Sequence, residues 1–263
     1  MIEFDIFGEG KRYALTMSFD DGQYDDKLIE IFNRYGIKGT FHLNTKSMKD
    51  KGLYDKIKEI YAGHEVSCHG VTHRSLDYIP RTGFVNEIFE DRRGLEAACG
   101  YPVVGMSYAN GVYSRPTIEA LRALGIVYSR TTKDTGNFRL PDDFMEWHPT
   151  CHFKQGLEKG EQFIKSMTGY FGYPKLLYMW GHAHELENRK EWDKMEEICR
   201  LLGNNDKIWY ATNIEIYRYI KAQRELVISA DETMVYNPSS IPVWFSRNKV
   251  DHCIKGGETL YFE

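Results

Sequence analysis

The sequence is poor in cysteine pairs, in long apolar runs and in any excess of one charge. Its five cysteines are odd in number, widely spaced and without a CxxC pair, which argues against a disulfide framework and a cysteine zinc knot. No stretch approaches the length needed to cross a bilayer, and the N-terminus lacks the basic and apolar regions of a leader. We therefore expect a cytoplasmic protein without a membrane partner. The 34 Lys and Arg residues are scattered over a chain of net charge -4, which argues against nucleic acid as a partner.

What the sequence does contain is a repeated order of helix, glycine and strand. With 42% hydrophobic and 27% charged residues, the 263-residue chain is an ordinary globular protein with one sizeable core. Amphipathic runs end at a glycine and are followed by a short β-prone run at Gly36, Gly63, Gly100, Gly125 and Gly203. Because glycine caps helix ends in the left-handed conformation, each instance predicts a change from helix to strand and together they predict a largely parallel sheet.

Counting these strands predicts an α/β barrel. Seven parallel strands are predicted, a number closer to a barrel than to an open sheet, and they end near Phe19, Leu43, Cys68, Met106, Tyr128, Trp180 and Tyr210. After Arg224 the pattern changes to short β-prone runs joined by Asn, Pro, Ser and Gly turns. We therefore predict a barrel over residues 1–224 and a β-rich extension, packed on it, over residues 225–263.

Two adjacent acids end the first strand of this barrel. The run from Tyr13 to Phe19 leads into Asp20, Asp21 and then Gly22, which allows a sharp turn. The C-terminal ends of parallel strands are where ligands bind, and two neighbouring carboxylates favour a bound cation or a shared proton. Taken alone, the motif also fits a solvated Asp-Gly turn.

Histidines follow two later strands. His69 and His73 come directly after the strand ending at Cys68, and histidines four apart on one helical turn point the same way. Such a pair also occurs on ordinary polar helix faces, but with the two acids it predicts a site of two histidines and one carboxylate with open coordination positions. His182 ends the strand that passes through Trp180 and could be a further ligand or an acid catalyst; His184 complicates that choice.

These three motifs, in this order and spacing, resemble the polysaccharide deacetylase family (NodB homology, carbohydrate esterase 4) from about Tyr13 to Arg224. The resemblance implies a distorted barrel with seven strands. It also implies a divalent metal on Asp21, His69 and His73, with zinc expected first and cobalt, nickel or manganese as alternatives. Asp20 would then be the general base and His182 the general acid.

The sequence departs from the family in its third and fourth motifs. The third usually contains an arginine that positions the base, whereas the corresponding run here, Met106 to Gly111, has none. Arg130, at the next strand end, is the candidate substitute. The loop from Tyr108 to Gly111 is predicted to line one wall of the site and to present Tyr108 and Asn110 to substrate. The resemblance implies that a backbone N–H near Asn110 binds the oxyanion. Trp180 is a candidate for stacking on a sugar, and Asp134 for the supporting acid of the fourth motif.

Other polar residues have simpler interpretations. His42 lies in a β-prone run and fits a histidine whose hydrogen bonds are satisfied inside the barrel. Cys68 fits a buried strand residue. The segment from Trp147 to His152 reads as a loop, and His152 could reach substrate from it.

The predicted function is that of a metal-dependent hydrolase that removes acetyl groups from an N-acetylated, or secondarily an O-acetylated, sugar or oligosaccharide. One alternative is a hydrolase of non-carbohydrate C–N bonds on the same barrel. A second is a carbohydrate-binding barrel without catalysis, which the absent motif arginine keeps open. The sequence does not indicate an oligomeric state.

Overall fold

Parallel strands form the wall of a barrel in the computed structural model, which describes residues 1–169 and 173–263. The strands are β1 (Ile2–Glu3), β2 (Tyr13–Asp20), β3 (Gly39–Leu43), β4 (Glu65–Cys68), β5 (Gly105–Ser107), β6 (Tyr128–Arg130), β7 (Cys151–His152), β8 (Lys175–His182), β9 (Ile208–Tyr210), β10 (Val227–Ile228), β11 (Met234–Tyr236), β12 (Val243–Arg247), β13 (Val250–Ile254) and β14 (Thr259–Tyr261). The wall has the order β6-β5-β4-β3-β2-β8-β7. A parallel bridge between Arg130 and Trp147 links β6 to the segment that leads into β7, which brings the two edges of the sheet towards closure.

The predicted barrel is confirmed, with one change in its wall. The strand predicted near Tyr210 exists as β9, but its pairing is with the start of β2, where Tyr13 lies opposite Ile208. The place beside β8 is taken instead by β7, within the segment predicted to be a loop. A strand of two residues is too short to show an alternating pattern, so sequence periodicity could not reveal it.

Helices connect the strands. They are α1 (Asp25–Arg34), α2 (Thr45–Asp50), α3 (Ile57–Ile60), α4 (Arg81–Cys99), α5 (Arg115–Ala123), α6 (Gly156–Lys165), α7 (Ala183–Arg189), α8 (Trp192–Leu202) and α9 (Asn213–Arg224). The helix α9 begins with a capping box, in which Thr212 and Glu215 satisfy each other's backbone N–H groups. The helix α4 ends where predicted, because Gly100 takes the left-handed conformation with φ 82°. No helix within the described residues has the length and hydrophobicity to cross a membrane.

The inside of the barrel is polar towards the C-terminal ends of the strands, while an apolar cluster that includes Ala14 and Leu176 lies further back. Both follow from the alternation of side chains along the strands. Apolar residues such as Phe19 and Phe41 pack outward against the helices in the main core. Their neighbours point inward: Ser18 shares a hydrogen bond of 3.1 Å with Tyr178, and Thr40 donates to Glu65 at 3.0 Å. Side chains at the top of the same inward rows, including Asp20, line the C-terminal edge of the sheet.

The last part of the chain forms two three-stranded antiparallel sheets, β10-β11-β14 and β1-β12-β13. Here β13 is a strand that the sequence pattern did not indicate. Tyr219 and Gln223 of α9 both donate to the carbonyl of Trp244, at 3.4 and 3.0 Å, so β12 packs on that helix. Because β1 pairs with β12, the first residues of the chain take part in this region. The domain boundary at residues 224 and 225 stays a prediction.

Candidate active site

The predicted catalytic residues meet at the C-terminal edge of the barrel because of strand register. Asp20, the last residue of β2, lies opposite His42 of β3 on one side and His182 of β8 on the other. Asp21 follows in the turn after β2, and His69 and His73 belong to the loop after the neighbouring strand β4. Three separate parts of the chain therefore contribute side chains to one spot.

Asp21, His69 and His73 form a compact set of three groups that could hold a metal ion. The Asp21 Oδ1 atom lies 3.8 Å from His69 Nε2 and 3.7 Å from His73 Nε2. Ligand atoms about 2.1 Å from a tetrahedral zinc ion would stand about 3.4 Å apart, so these separations suit one divalent cation. Carboxylate and imidazole are donors that such cations accept, and three protein ligands leave a position open.

The loop geometry of these ligands differs from the sequence prediction. His69 and His73 do not share a helical turn: the segment is irregular, with Gly70 at φ 82° and His73 at φ 60°. Asp21 is left-handed as well, at φ 76°. Two left-handed residues fold the 69–73 loop back on itself, so the loop rather than a helix brings both imidazoles to Asp21.

The tautomer of His69 is set by a strand neighbour. Its Nδ1 lies 2.7 Å from the hydroxyl and 3.1 Å from the carbonyl oxygen of Ser107. The hydroxyl donates its hydrogen to Asp20 and the carbonyl can only accept, so Nδ1 carries the hydrogen. The Nε2 atom is then a bare lone pair directed towards Asp21, as a metal ligand requires. Burial lowers the pKa of His69 to about 4, which also favours the neutral ring.

Asp20 is buried and held by three partners. Its Oδ2 forms an ion pair with Arg130 Nη2, and its Oδ1 accepts from His42 Nδ1 at 3.0 Å and from Ser107 Oγ at 3.3 Å. Burial alone would raise the pKa of the Asp20 carboxyl, but the charge of Arg130, with smaller contributions from His69 and His42, holds it well below the usual range. The carboxylate is therefore ionised, and its Oδ2 lies 3.7 Å from His69 Nε2.

His182 lies across Asp20 from the metal ligands. Its Nε2 is 3.9 Å from Asp20 Oδ2, and its Nδ1 lies 2.9 Å from Glu185 Oε1. The same Glu185 oxygen contacts His152 Nε2 at 3.1 Å, while Lys154 pairs with the other oxygen. Burial works to raise the pKa of Glu185, but the hydrogen bonds from Lys154 and His182 lower it to about 2. An ionised Glu185 makes Nδ1 of His182 the protonated nitrogen and turns Nε2 towards the site.

The residues predicted to contact substrate, Trp180, Tyr108 and Asn110, make contacts with other protein side chains. Trp180 is 9% exposed, donates to Asp134 Oδ1 at 2.8 Å and stacks on Arg130 with 4.4 Å between the guanidinium carbon and the ring centre. Tyr108 is 1% exposed and stacks on Tyr113, so its ring has little surface to offer to substrate. Asn110 is left-handed and exposed, and its amide donates to Ser75 at 3.0 Å. The roles of these residues towards substrate stay predictions.

Three residues of the site were missed or interpreted otherwise in the sequence. His42 was expected to be a satisfied interior histidine, yet it contacts Asp20 directly. Ser107, at the end of β5, donates a hydrogen bond to Asp20, and β5 has no arginine that could do so. Glu185 had a usable signal, because it lies one helical turn after His182 and would share its face in any helix that starts there.

A cleft opens beside the three metal-binding groups. It has a volume of about 620 Å³ and is lined on one side by Asp21 and His73 and on the other by α2 and the residue after it, including Lys46 and Lys51. Lys51 Nζ reaches the backbone carbonyl of Asp21 at 3.2 Å. The cleft gives an extended molecule access to the predicted ligands.

Comparison with known proteins agrees with this geometry. Residues 8–129, just under half of the chain, match the family model of polysaccharide deacetylases, and the matched segment contains the Asp20-Asp21 turn and the His69–His73 loop. This part of the chain is similar to polysaccharide deacetylases. His182, the third element of the site, lies outside the matched segment.

Individual proteins are similar to parts of the chain or share its fold. A chitin deacetylase of Arthroderma benhamiae is 36% identical over 79 residues, which are 28% of this chain and 21% of that protein. The matched segment thus spans only about a fifth of this relative. A "probable polysaccharide deacetylase" from Pseudomonas aeruginosa PAO1 has a TM-score of 0.63 at 16% identity, covering 82% of this chain and 92% of that one. The Puue allantoinase has a TM-score of 0.61 at 14% identity, covering 81% and 91%. At these identities the two structures show a shared fold alone.

Proposed function

We propose that this chain is a metal-dependent hydrolase that removes the acetyl group from N-acetylated sugars, with O-acetylated sugars as secondary substrates. The observation that carries the proposal is the convergence of Asp21, His69 and His73 on one point, with Asp20 and His182 facing the same point. The match of residues 8–129 to the polysaccharide deacetylase model and the name of the chitin deacetylase relative support an acetylated sugar as substrate.

The proposed roles follow from the protonation states of the residues. Asp21, His69 and His73 would hold a divalent cation, zinc first. When bound, the cation supplies Lewis-acid polarisation of the acetyl carbonyl and a lower pKa for the attacking water. Asp20 is ionised and can take the proton of that water. His182 has Nε2 free towards the site and, as imidazolium, can protonate the leaving amine nitrogen.

The proposed role of Arg130 is to hold Asp20 rather than to touch substrate. It is fully buried, and it forms an ion pair with Oδ2 of Asp20. Trp180 covers its guanidinium, and Asp134 anchors that indole. Asp134 therefore holds Trp180, Trp180 packs on Arg130, and Arg130 holds Asp20.

Metal binding and acetate release test the proposal together. The protein is stripped with a chelator, reloaded separately with zinc, cobalt, nickel and manganese, and assayed for acetate from N-acetylglucosamine oligomers, acetylated xylan and peptidoglycan fragments. His69→Gln should lose bound metal, whereas His252→Gln, in β13, should retain it. Asp20→Asn and His182→Ala should retain metal and lose about 10²- to 10⁴-fold in rate. Full metal occupancy in His69→Gln would contradict the ligand assignment.

A non-carbohydrate C–N hydrolase is the second candidate, and one observation favours it. The described residues that line the cleft beside Asp21 include Lys46 and Lys51 but no Phe, Tyr or Trp, the side chains on which sugar faces commonly stack. The same assay separates the two functions, since ammonia or a new carboxylate without acetate from small amides and cyclic ureides would indicate this candidate. A loaded protein that binds sugar and releases nothing would indicate a carbohydrate-binding barrel.

A further inference from the structure

His42 is a fully buried histidine in the middle of the barrel wall. Its neighbours Phe41 and Leu43 point outward into the main hydrophobic core, so His42 points inward, as expected from the alternation along β3. Register places it directly opposite Asp20. The metal-binding groups and the acid described above do not include it.

The hydrogen bond between the two residues has a defined direction. Asp20 is ionised and can only accept, so the hydrogen on the 3.0 Å contact belongs to His42 Nδ1. A neutral imidazole with its hydrogen on Nδ1 has a bare lone pair on Nε2. Among the described residues, that Nε2 has no hydrogen-bond partner.

An unpartnered buried nitrogen is unfavourable, and an apolar side chain of similar size would avoid it. A histidine at this position is therefore explained by what Nδ1 does rather than by packing. Rotation about the last bond of an aspartate is soft and nearly two-fold, so a carboxylate needs contacts on both oxygens to keep one plane. Arg130 holds Oδ2, and His42 with Ser107 holds Oδ1.

We propose that His42 is a positioning residue for the base: its Nδ1–H fixes the plane of the Asp20 carboxylate so that Oδ2 stays turned towards His69 and His182. This inference rests on the proposed function for its kinetic consequence, but the hydrogen bond itself can be measured without activity. His42 does not touch the reacting atoms, and it acts only through Asp20.

Two substitutions separate the hydrogen bond from packing. His42→Asn keeps an amide N–H on the same γ carbon as Nδ1 but leaves a void. His42→Leu fills most of the volume and has no donor. On the metal-loaded full chain, His42→Leu should lose about 10- to 100-fold in kcat with KM and metal content unchanged, as expected for a hydrogen bond to a charged group, and His42→Asn should recover most of it.

The thermal midpoint should show the opposite order, because His42→Asn loses more packing than His42→Leu. If kcat follows stability across the two variants, or if His42→Leu turns over like the wild type, His42 is only a packing residue and the proposal is wrong.

A nitrogen NMR measurement keeps the proposal separate from the proposed function. In the wild-type chain at neutral pH, His42 should show a protonated Nδ1 and an unprotonated Nε2. Hydrogen on Nε2 alone would overturn the proposal, whatever the activity. Absence of acetate release from the loaded wild type would instead contradict the proposed function and leave the tautomer to decide the role of His42.

Discussion

At the scale of single residues, the ion pair between Arg130 and Asp20 distinguishes this chain from the family pattern. The arginine is 110 positions away from Asp20 in sequence and lies on a different strand from the motif run at Met106. Its charge offsets the burial of Asp20 and keeps the carboxylate ionised. An arginine on the next strand can serve this carboxylate because β5 and β6 are neighbours, with Ser107 opposite Arg130.

Replacement of Arg130 should show how much the base depends on it. Arg130→Gln leaves a buried carboxylate without its cation, so we expect about 10²-fold lower kcat and a free energy of unfolding lower by about 3 to 5 kcal/mol. Arg130→Lys keeps the charge, so its kcat should lie between those of the wild type and of Arg130→Gln. Steady-state acetate release and urea unfolding measure these changes.

Arg122→Gln is the matched control. Arg122 pairs with Asp143 on the surface, where an ion pair contributes at most about 1 kcal/mol, so both quantities should stay near wild type. Unchanged turnover and an unchanged pH profile in Arg130→Gln would mean that Asp20 is positioned without this residue.

At the scale of elements, the first turn of α7 holds both the proposed acid and its partner. His182 is the residue before the helix and Glu185 lies in the first turn, so the two side chains lie on the same face. Lys154, which follows β7, reaches the same carboxylate. The charges next to Nδ1 of His182 therefore come from the start of one helix and from one loop.

Changes at Glu185 and Lys154 should move the pH–rate profile in opposite directions. In Glu185→Gln the imidazolium of His182 loses its negative partner, so the basic limb of the profile should move to lower pH, with about 10-fold lower kcat at the optimum. In Lys154→Met the carboxylate loses its cation, and the basic limb should move to higher pH. Glu187→Gln, on the exposed side of α7, should leave the profile unchanged.

The profile of kcat against pH, recorded for the three variants and the wild type with the same metal, checks this. Shifts of the same sign in Glu185→Gln and Lys154→Met would exclude an electrostatic role of this pair towards His182.

At the scale of the whole molecule, the buried side chain of Glu65 links several elements of the barrel below the site. Glu65 of β4 accepts hydrogen bonds from Tyr128 at 2.6 Å, from Thr40 at 3.0 Å and from the backbone N–H of Ile214 at 2.8 Å. These partners belong to β6, β3 and the start of α9. Despite the three donors, burial raises the pKa of Glu65 from 4.5 to about 7.

This raised pKa predicts how stability depends on pH. Between pH 4.5 and 7 the folded chain holds a proton on Glu65 that the unfolded chain has lost, so the free energy of unfolding falls as pH rises through this window. The stability lost is on the order of 3 kcal/mol, and the loss is complete above about pH 7. Glu65→Gln cannot ionise and should lose less stability than the wild type between pH 4.5 and pH 8.

Urea unfolding of Glu65→Gln, of the wild type and of the exposed-site control Glu59→Gln at both pH values gives this difference. The control should follow the wild type. Equal losses in Glu65→Gln and the wild type would show that Glu65 is ionised throughout.

Local sequence patterns were sufficient for much of the fold and for naming the candidate ligands. The alternation from Tyr13 to Phe19 led to β2. The glycines at 36, 63, 100 and 125 are left-handed and precede strands as predicted, whereas Gly203 is extended, with φ -77°. The turn at Asp20 and Asp21 and the histidines at 69, 73 and 182 were recognisable because chemistry at a strand end needs those residue types. The two-residue strand β7 carried no such signal.

The sequence by itself determined which side chains could bind a metal and at which strand ends they lie. Only the tertiary structure decided which groups hold Asp20: Arg130 from β6, His42 from β3 and Ser107 from β5. It also decided that a loop, and not a helical turn, brings His69 and His73 together. The physical reason is that periodicity and capping act over a few residues, whereas the partners of a buried charge depend on strand register and barrel closure, which join positions far apart in the chain.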